Sequence, residues 1–237
     1  MARIHVLLKK EELDAERLPG KVVIVLDVLF ATTSIATALA HGAAEVIPTV
    51  DGASALAEAR LRRPGSYVLA GELNAVTLDG FAAPTPLALL REKVPGKAVI
   101  FSTTNGTVAL SRAREADHVY AAALVNGEAV VDHVCGLGDR TVLIACAGSA
   151  DRFNLEDFYG AGYLASLFAH RGTHDFSDAA LAAQLLHERA DAYETLARSR
   201  IGRLMFQHGL EEEVRFAAQK SCFAVVPALE GGRLRPA

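Results

Sequence analysis

Asp27 stands directly after Val22–Leu26, five apolar residues in a row, and Glu72 follows Tyr67–Ala70 and Gly71 in the same way. A carboxylate in such a place avoids the cost of burial by facing a site, pairing with a cation or capping the next helix. Two such acids with carbonyl oxygens nearby suit Mg²⁺, a hard cation that takes oxygen ligands and keeps several waters. Asp27 and Glu72 are therefore candidate metal ligands and candidate catalytic acids. Thr103-Thr104-Asn105-Gly106-Thr107 closes a third apolar run, Ala98–Phe101, and opens a helix. The free N–H groups and positive dipole end of a helix start favour an anion there. Asn105 joins the candidate catalytic set, and Thr103, Thr104, Gly106 and Thr107 the anion-binding set. Thr32-Thr33 repeats the pattern after Asp27. The plain alternative for each threonine is a helix cap.

Asn126, and Cys146 with Gly148, close two further apolar runs and complete the candidate anion-binding set. The chain has only four asparagines, Asn74, Asn105, Asn126 and Asn154; two fall at strand ends, and Asn74 lies two residues past Glu72. Cys146 and Arg152 have the Cys-x5-Arg spacing of cysteine-dependent phosphatases, in which a strand-end thiolate attacks and the arginine holds phosphate. Ala145 stands where those enzymes carry histidine, and Asp151 would repel an anion, so a small buried cysteine is the better reading. Glu156-Asp157 reads as a pair of first-turn acids favoured by the helix dipole. The eight histidines are scattered without zinc spacing. Neither a glycine-rich dinucleotide loop nor a P-loop is present.

These residues need a scaffold that brings strand ends together. Apolar β-type runs at Ile4–Leu8, Val22–Leu26, Glu45–Pro48, Tyr67–Ala70, Ala98–Phe101, Val119–Ala123 and Thr141–Cys146 alternate with helical patterns. The helices are expected over Thr32–Ala40, Ala53–Arg62, after Thr107, and over Glu128–Cys135, Leu155–His170, Asp178–Ala197 and Glu211–Gln219. Phe223–Val226 reads as an edge strand closed by Pro227 and a Gly231-Gly232 turn. Alternation of this kind implies right-handed crossovers and a three-layer α/β/α sandwich around a largely parallel, mixed sheet. Ligands bind such sheets outside the carboxyl ends of the strands, where the candidate residues stand. One domain over 1–237 is expected; two tightly packed α/β halves, divided near 115–140, are the alternative.

With 237 residues, 51% hydrophobic and 22% charged, the chain can bury a full core and is not disordered. No apolar run reaches the ~18 residues of a membrane span. The net charge of −4 and the absence of a basic stripe argue against nucleic acid. Three cysteines without a CxxC pair point to a reducing, cytoplasmic setting. A homo-oligomer is compatible with the sequence.

Taken in order, several segments resemble the 2-phosphosulfolactate phosphatase family. They are Asp27-Val28-Leu29 with Ala31-Thr32-Thr33, Gly71-Glu72 with Gly80-Phe81, Thr103–Thr107, Cys146-Ala147-Gly148 with Leu155-Glu156-Asp157 and Ala161-Gly162, and Val226-Pro227. The resemblance runs from about residue 20 to 230. It implies an α/β/α fold and a Mg²⁺-dependent hydrolase that removes phosphate from (2R)-2-phospho-3-sulfolactate, a step toward coenzyme M. It also implies Asp27 and Glu72 as metal ligands or base, with Thr32, Thr33 and Thr103–Thr107 around the phosphate. The chain departs from the pattern at Phe30 and Val108, where the family has arginine. It departs again at Ala83-Pro84-Thr85-Pro86, in place of Gly-Asn-Ser-Pro, and at Ser221 and Ala224, in place of aspartates. Arginine is the natural bidentate partner of phosphate or sulfonate. Two functions are thus open: a phosphatase for a small phosphorylated acid, or an altered relative that binds such a metabolite without turnover.

Overall fold

The computed structural model describes residues 2–237. Each of the seven strands expected between Ile4 and Cys146 forms. In chain order the first are β1 (Arg3–Leu7), β2 (Val22–Leu26), β3 (Glu45–Thr49), β4 (Tyr67–Leu73), β5 (Val76–Thr77), β6 (Ala98–Ser102), β7 (His118–Ala122) and β8 (Thr141–Cys146). β9 (Asp175–Phe176), β10 (Pro227–Glu230) and β11 (Arg233–Pro236) follow. All belong to one sheet with the order β5-β4-β6-β3-β11-β10-β7-β2-β8-β1-β9. β2 pairs in parallel with β7 and β8, and β6 in parallel with β3 and β4. Val22–Leu26 is buried at every residue, because both faces of the sheet are covered.

The helices are α1 (Ala31–Ala40), α2 (Gly52–Arg60), α3 (Pro86–Arg91), α4 (Gly106–Ala113), α5 (Gly127–Cys135) and α6 (Leu155–Arg171), then α7 (Asp178–Arg189), α8 (Ala192–Arg198), α9 (Arg200–Gln207) and α10 (Glu211–Ala217). One core joins Ile24 and Leu26 of β2 to α5, α6 and α7, with Leu196, Met205 and Val214 from α8, α9 and α10. The other joins Val23 and Val25 of the same strand to Ile35 of α1, Leu110 of α4 and Phe101 of β6. Helix, mainly parallel sheet and helix form three layers, as the alternation of elements implies.

The C-terminal segment differs from its expectation. Residues 222–226 form no strand; the chain pairs only from Pro227. β10 and β11 then make an antiparallel hairpin about Gly231 and Gly232, whose φ values of 56° and 77° suit a two-residue turn. This hairpin fills the middle of the sheet, touching β7 through the pair Ala228–Tyr120 and β3 through Leu234–Val46. Arg62, Arg233 and Arg235 converge on the buried Glu45 carboxylate at 2.7, 3.1 and 2.6 Å and fasten the hairpin to β3.

Candidate active site

A cavity of about 540 Å³ opens at the carboxyl ends of β2, β4 and β6, and Asp27, Glu72, Thr103, Thr104 and Asn105 are among the residues that line it. β6 is not a neighbour of β2 in the sheet, but α4 reaches across to pack on β2. Gly106, the first residue of α4, makes that approach possible. A methyl group there would lie 2.3 Å from Ala31 Cβ and 2.8 Å from Asp27 Oδ2, closer than atoms can pack.

Asp27 is 8% exposed. Its carboxyl is pushed up to about 7, first by burial and then by the negative charges of Glu72 and Glu156; the Ala31 N–H and the Lys10 ammonium oppose the rise. Glu72 ties two cavity loops together. Its Oε1 accepts from Thr104 N at 2.7 Å, and its Oε2 accepts from Ala75 N at 2.7 Å and from Thr104 Oγ1 at 3.2 Å. Asn74 and Ala75, with φ of 53° and 67°, form the two-residue turn between β4 and β5 and also line the cavity.

Asn105 is oriented from behind. Lys10 is 6% exposed, and its Nζ donates to Asn105 Oδ1 at 3.1 Å and to Ala147 O at 3.3 Å, with Glu11 Oε1 at 3.3 Å. An ammonium only donates, so the Asn105 carbonyl oxygen must face it and the amide NH₂ is left for a ligand. Lys10 was not recognisable from the sequence, where it is one of two adjacent lysines.

The remaining sequence-derived candidates lie behind the cavity wall. Thr32, fully buried, accepts from Asp27 N and donates to Asp27 O, both at 2.9 Å. Thr33 donates to Val28 O at 2.8 Å and Thr107 to Thr103 O at 2.8 Å. These hydroxyls fasten the loops at Asp27 and Thr103 and do not line the cavity, so direct contact with phosphate does not match their placement. Asn126, fully buried, accepts from Ala123 N and donates to Ala121 O and Val225 O. Gly148 N donates to Asp157 Oδ2 at 3.1 Å. Cys146 is fully buried, and burial, followed by the charges of Asp157, Glu12 and Glu156, pushes its thiol well above the usual range. A thiolate nucleophile is disfavoured there.

Glu156 and Asp157 do more than the helix capping expected of them. Asp157 is fully buried, and its Oδ1 accepts from Val28 N at 2.9 Å, so with Gly148 it joins the loops after β2 and β8. Glu156 is 1% exposed and neither of its oxygens has a hydrogen-bond partner in place; Ser199 and Arg200 are the neighbours that favour its charge. Burial pushes both carboxyls up. Their helix, α6, is buried on nearly all sides through Phe168. That was the available signal, since a first-turn acid on such a helix faces protein.

Apolar residues line the cavity as well: Leu29 and Phe30 from the loop after β2, Ala83 and Pro84, and Ile201, Leu204 and Met205 from α9, with the polar Thr77, Thr85 and His208 among them. Arg200 at the start of α9 also lines it; its Nη2 donates to Ser149 Oγ and, at 3.0 Å, to Asn154 Oδ1. Of the departures from the family pattern, Phe30 and the 83–85 segment are in the cavity. Ser221 is outside it, bonded to Tyr163 OH at 2.7 Å and Glu128 N at 2.9 Å, and Ala224 is exposed.

A mainly parallel sheet covered by helices on both faces, with acids, hydroxyls and a helix start gathered in one strand-end cavity, defines an α/β protein of the three-layer class. The family model for 2-phosphosulpholactate phosphatase matches residues 7–232, and the chain belongs to that family. It is 37% identical over 224 residues to a probable 2-phosphosulfolactate phosphatase of Symbiobacterium thermophilum, covering 93% of this chain and 96% of the relative. A protein of the same description from Carboxydothermus hydrogenoformans is 37% identical over 237 residues, 98% of this chain and 96% of the relative. One from Deinococcus radiodurans is 37% identical over 219 residues, 91% and 90% of the two chains.

Proposed function

We propose that this chain is a cytoplasmic, Mg²⁺-dependent phosphatase that releases phosphate from a small phosphorylated acid, with 2-phosphosulfolactate the substrate its relatives' names supply. The observation that carries this reading is the meeting of Asp27, Glu72 and Asn105, from three distant segments, around one cavity. A divalent cation fits the residues present: Asp27 is buried among like charges, and the nearby Glu156 carboxylate has two unsatisfied oxygens. Among the described residues no three acids, histidines or cysteines are grouped to hold a metal. Two carboxylates, Asp27 and Glu72, with waters completing the shell, is the arrangement Mg²⁺ accepts. Asp27 and Glu72 would hold the ion, which would supply positive charge to the phosphoryl oxygens.

The chain's own groups carry the rest. The Asn105 NH₂ and the hydroxyl of Thr103 donate to the phosphoryl oxygens as negative charge builds on them. Asp27 accepts the proton of the attacking water. That water attacks phosphorus, the ester P–O bond breaks, and the leaving alkoxide takes the proton that Asp27 has drawn from it. Lys10 holds Asn105 in the donating orientation. Arg200 offers the N–H groups of its guanidinium not used by Ser149 and Asn154 to a substrate carboxylate. Three free cysteines agree with a reducing compartment. Among the described residues no helix is long and apolar enough to cross a membrane.

Phosphate release from 2-phosphosulfolactate and a panel of phosphomonoesters, with Mg²⁺ and with EDTA, tests the reading; no metal-dependent release from any of them would end it. Phe30, standing where a guanidinium is expected, favours one other reading: a relative that binds a phosphorylated metabolite without turnover. That reading requires ligand-dependent thermal stabilisation and no hydrolysis.

A further inference from the structure

Ala83, Pro84 and Thr85 line the cavity but belong to no strand or helix. Pro84 and Pro86 lack the N–H that would tie this stretch to a neighbour, so its position depends on bonds that reach it from elsewhere. Two helices supply them. Ser34 of α1, fully buried, donates to Pro84 O at 2.7 Å. Glu213 of α10, 6% exposed, accepts on Oε1 from Thr85 Oγ1 at 2.6 Å and from Ala88 N at 3.2 Å, and on Oε2 from Leu87 N at 2.8 Å.

Thr85 is itself buried, and Glu213 stands 128 residues further along the chain. Thr85 makes no side-chain cap for α3, which begins at Pro86; the carboxyl from α10 satisfies that first turn instead. α10 follows directly on His208 and Leu210, which also line the cavity. The Glu213 bridge therefore sets the spacing between two stretches of the lining, 83–85 and 208–210.

Building on the phosphatase reading, we propose that Glu213 is a positioning residue for the substrate site, holding Thr85 and its neighbours where they meet the bound substrate. Proton transfer and contact with the phosphoryl oxygens fall to Asp27, Asn105 and Thr103. Loosening the 83–85 stretch therefore weakens substrate binding and leaves the chemical step nearly unchanged.

Steady-state kinetics on 2-phosphosulfolactate with Mg²⁺, together with thermal-shift titration of the same compound, test this. Glu213→Gln keeps the shape but places an amide NH₂ where three donors converge. KM and the dissociation constant should rise by about tenfold, with kcat within about threefold of the wild type. Thr85→Val should give a comparable rise and Thr85→Ser should remove it. The double variant Glu213→Gln, Thr85→Val should be no worse than the more affected single variant, because both break one bridge. Glu45→Gln, at the amino end of β3, serves as the control for lost stability and should leave KM unchanged. Unchanged KM in both Glu213→Gln and Thr85→Val, additive effects of the two, or an equal rise in Glu45→Gln would overturn the inference and leave the phosphatase reading intact. Stabilisation without phosphate release would end the phosphatase reading alone, and the dissociation constants would still decide the role of Glu213. Neither binding nor release, here and across the phosphomonoester panel, would overturn both.

Discussion

Replacing Asp27 by Asn in protein stripped of divalent cations should stabilise the fold, and by an amount that depends on pH. In the folded protein the Asp27 carboxyl takes up its proton at about 7, against an ordinary value of 3.8. Between those values the folded state binds more protons than the unfolded state, so the group makes stability fall as pH rises through this window. The shift spans ~3 pH units, and at 1.36 kcal/mol each the penalty approaches about 4 kcal/mol above pH 7. Asparagine has nearly the same shape and no charge, so it escapes that penalty. The variant should match the wild type at pH 4, gain progressively, and be more stable by up to about 4 kcal/mol at pH 8. At about 2–4 °C per kcal/mol for a chain of this size, thermal denaturation in EDTA at pH 4, 5.5, 7 and 8 resolves the effect. Mg²⁺ should raise the stability of the wild type at pH 8 more than that of the variant, which keeps only Glu72 of the two proposed ligands. A variant less stable than the wild type at pH 8, or a difference independent of pH, would refute the electrostatic account of Asp27.

Other expectations concern the groups that position the site. Lys10→Met should lower kcat by about tenfold or more, because Asn105 loses the contact that fixes its amide; circular dichroism should stay native. Gly106→Ala should cost both stability and activity, since its methyl would meet Ala31 and Asp27; the loss of stability should fall in the range of about 1–3 kcal/mol found for overpacked sites, read by urea denaturation. Cys146→Ala should retain turnover, measured as phosphate release, because the thiol is buried behind the cavity. Burial raises the Glu45 carboxyl, but Arg235 and Arg62 outweigh it and hold it below the usual range. Its contribution is therefore present above the ordinary carboxylate value and lost as pH falls through the lowered one. Glu45→Gln should cost about 2 kcal/mol at pH 7 and less toward pH 3, followed by urea denaturation.

The strands that frame the site were readable because they are buried on both faces. Val22–Leu26 and residues 142–146 carry unbroken apolar runs that no surface element would show. The edge strand expected at Phe223–Val226 does not form; the β10–β11 hairpin beyond it is placed by single-residue pairings with β7 and β3, and such pairings leave no local pattern. The same limit applies to the site. Strand-end position correctly gathered Asp27, Glu72, Thr103, Thr104 and Asn105 into one cavity. It also gathered Thr32, Thr33 and Thr107, whose hydroxyls are taken up by carbonyls four or five residues back along the chain. A cap and a ligand contact need the same residue type at the same place, and only the direction of the side chain separates them. Lys10 and Arg200 left no signal, because each reaches the site across more than 45 residues of sequence to its partner, Asn105 or Asn154.

The most direct test is a crystal structure of the chain grown with Mg²⁺ and inorganic phosphate. The metal should lie between the carboxylates of Asp27 and Glu72, with the phosphate against the amide of Asn105. Both ions bound elsewhere, with Asp27 and Glu72 touching neither, would contradict the site on which the proposed activity rests.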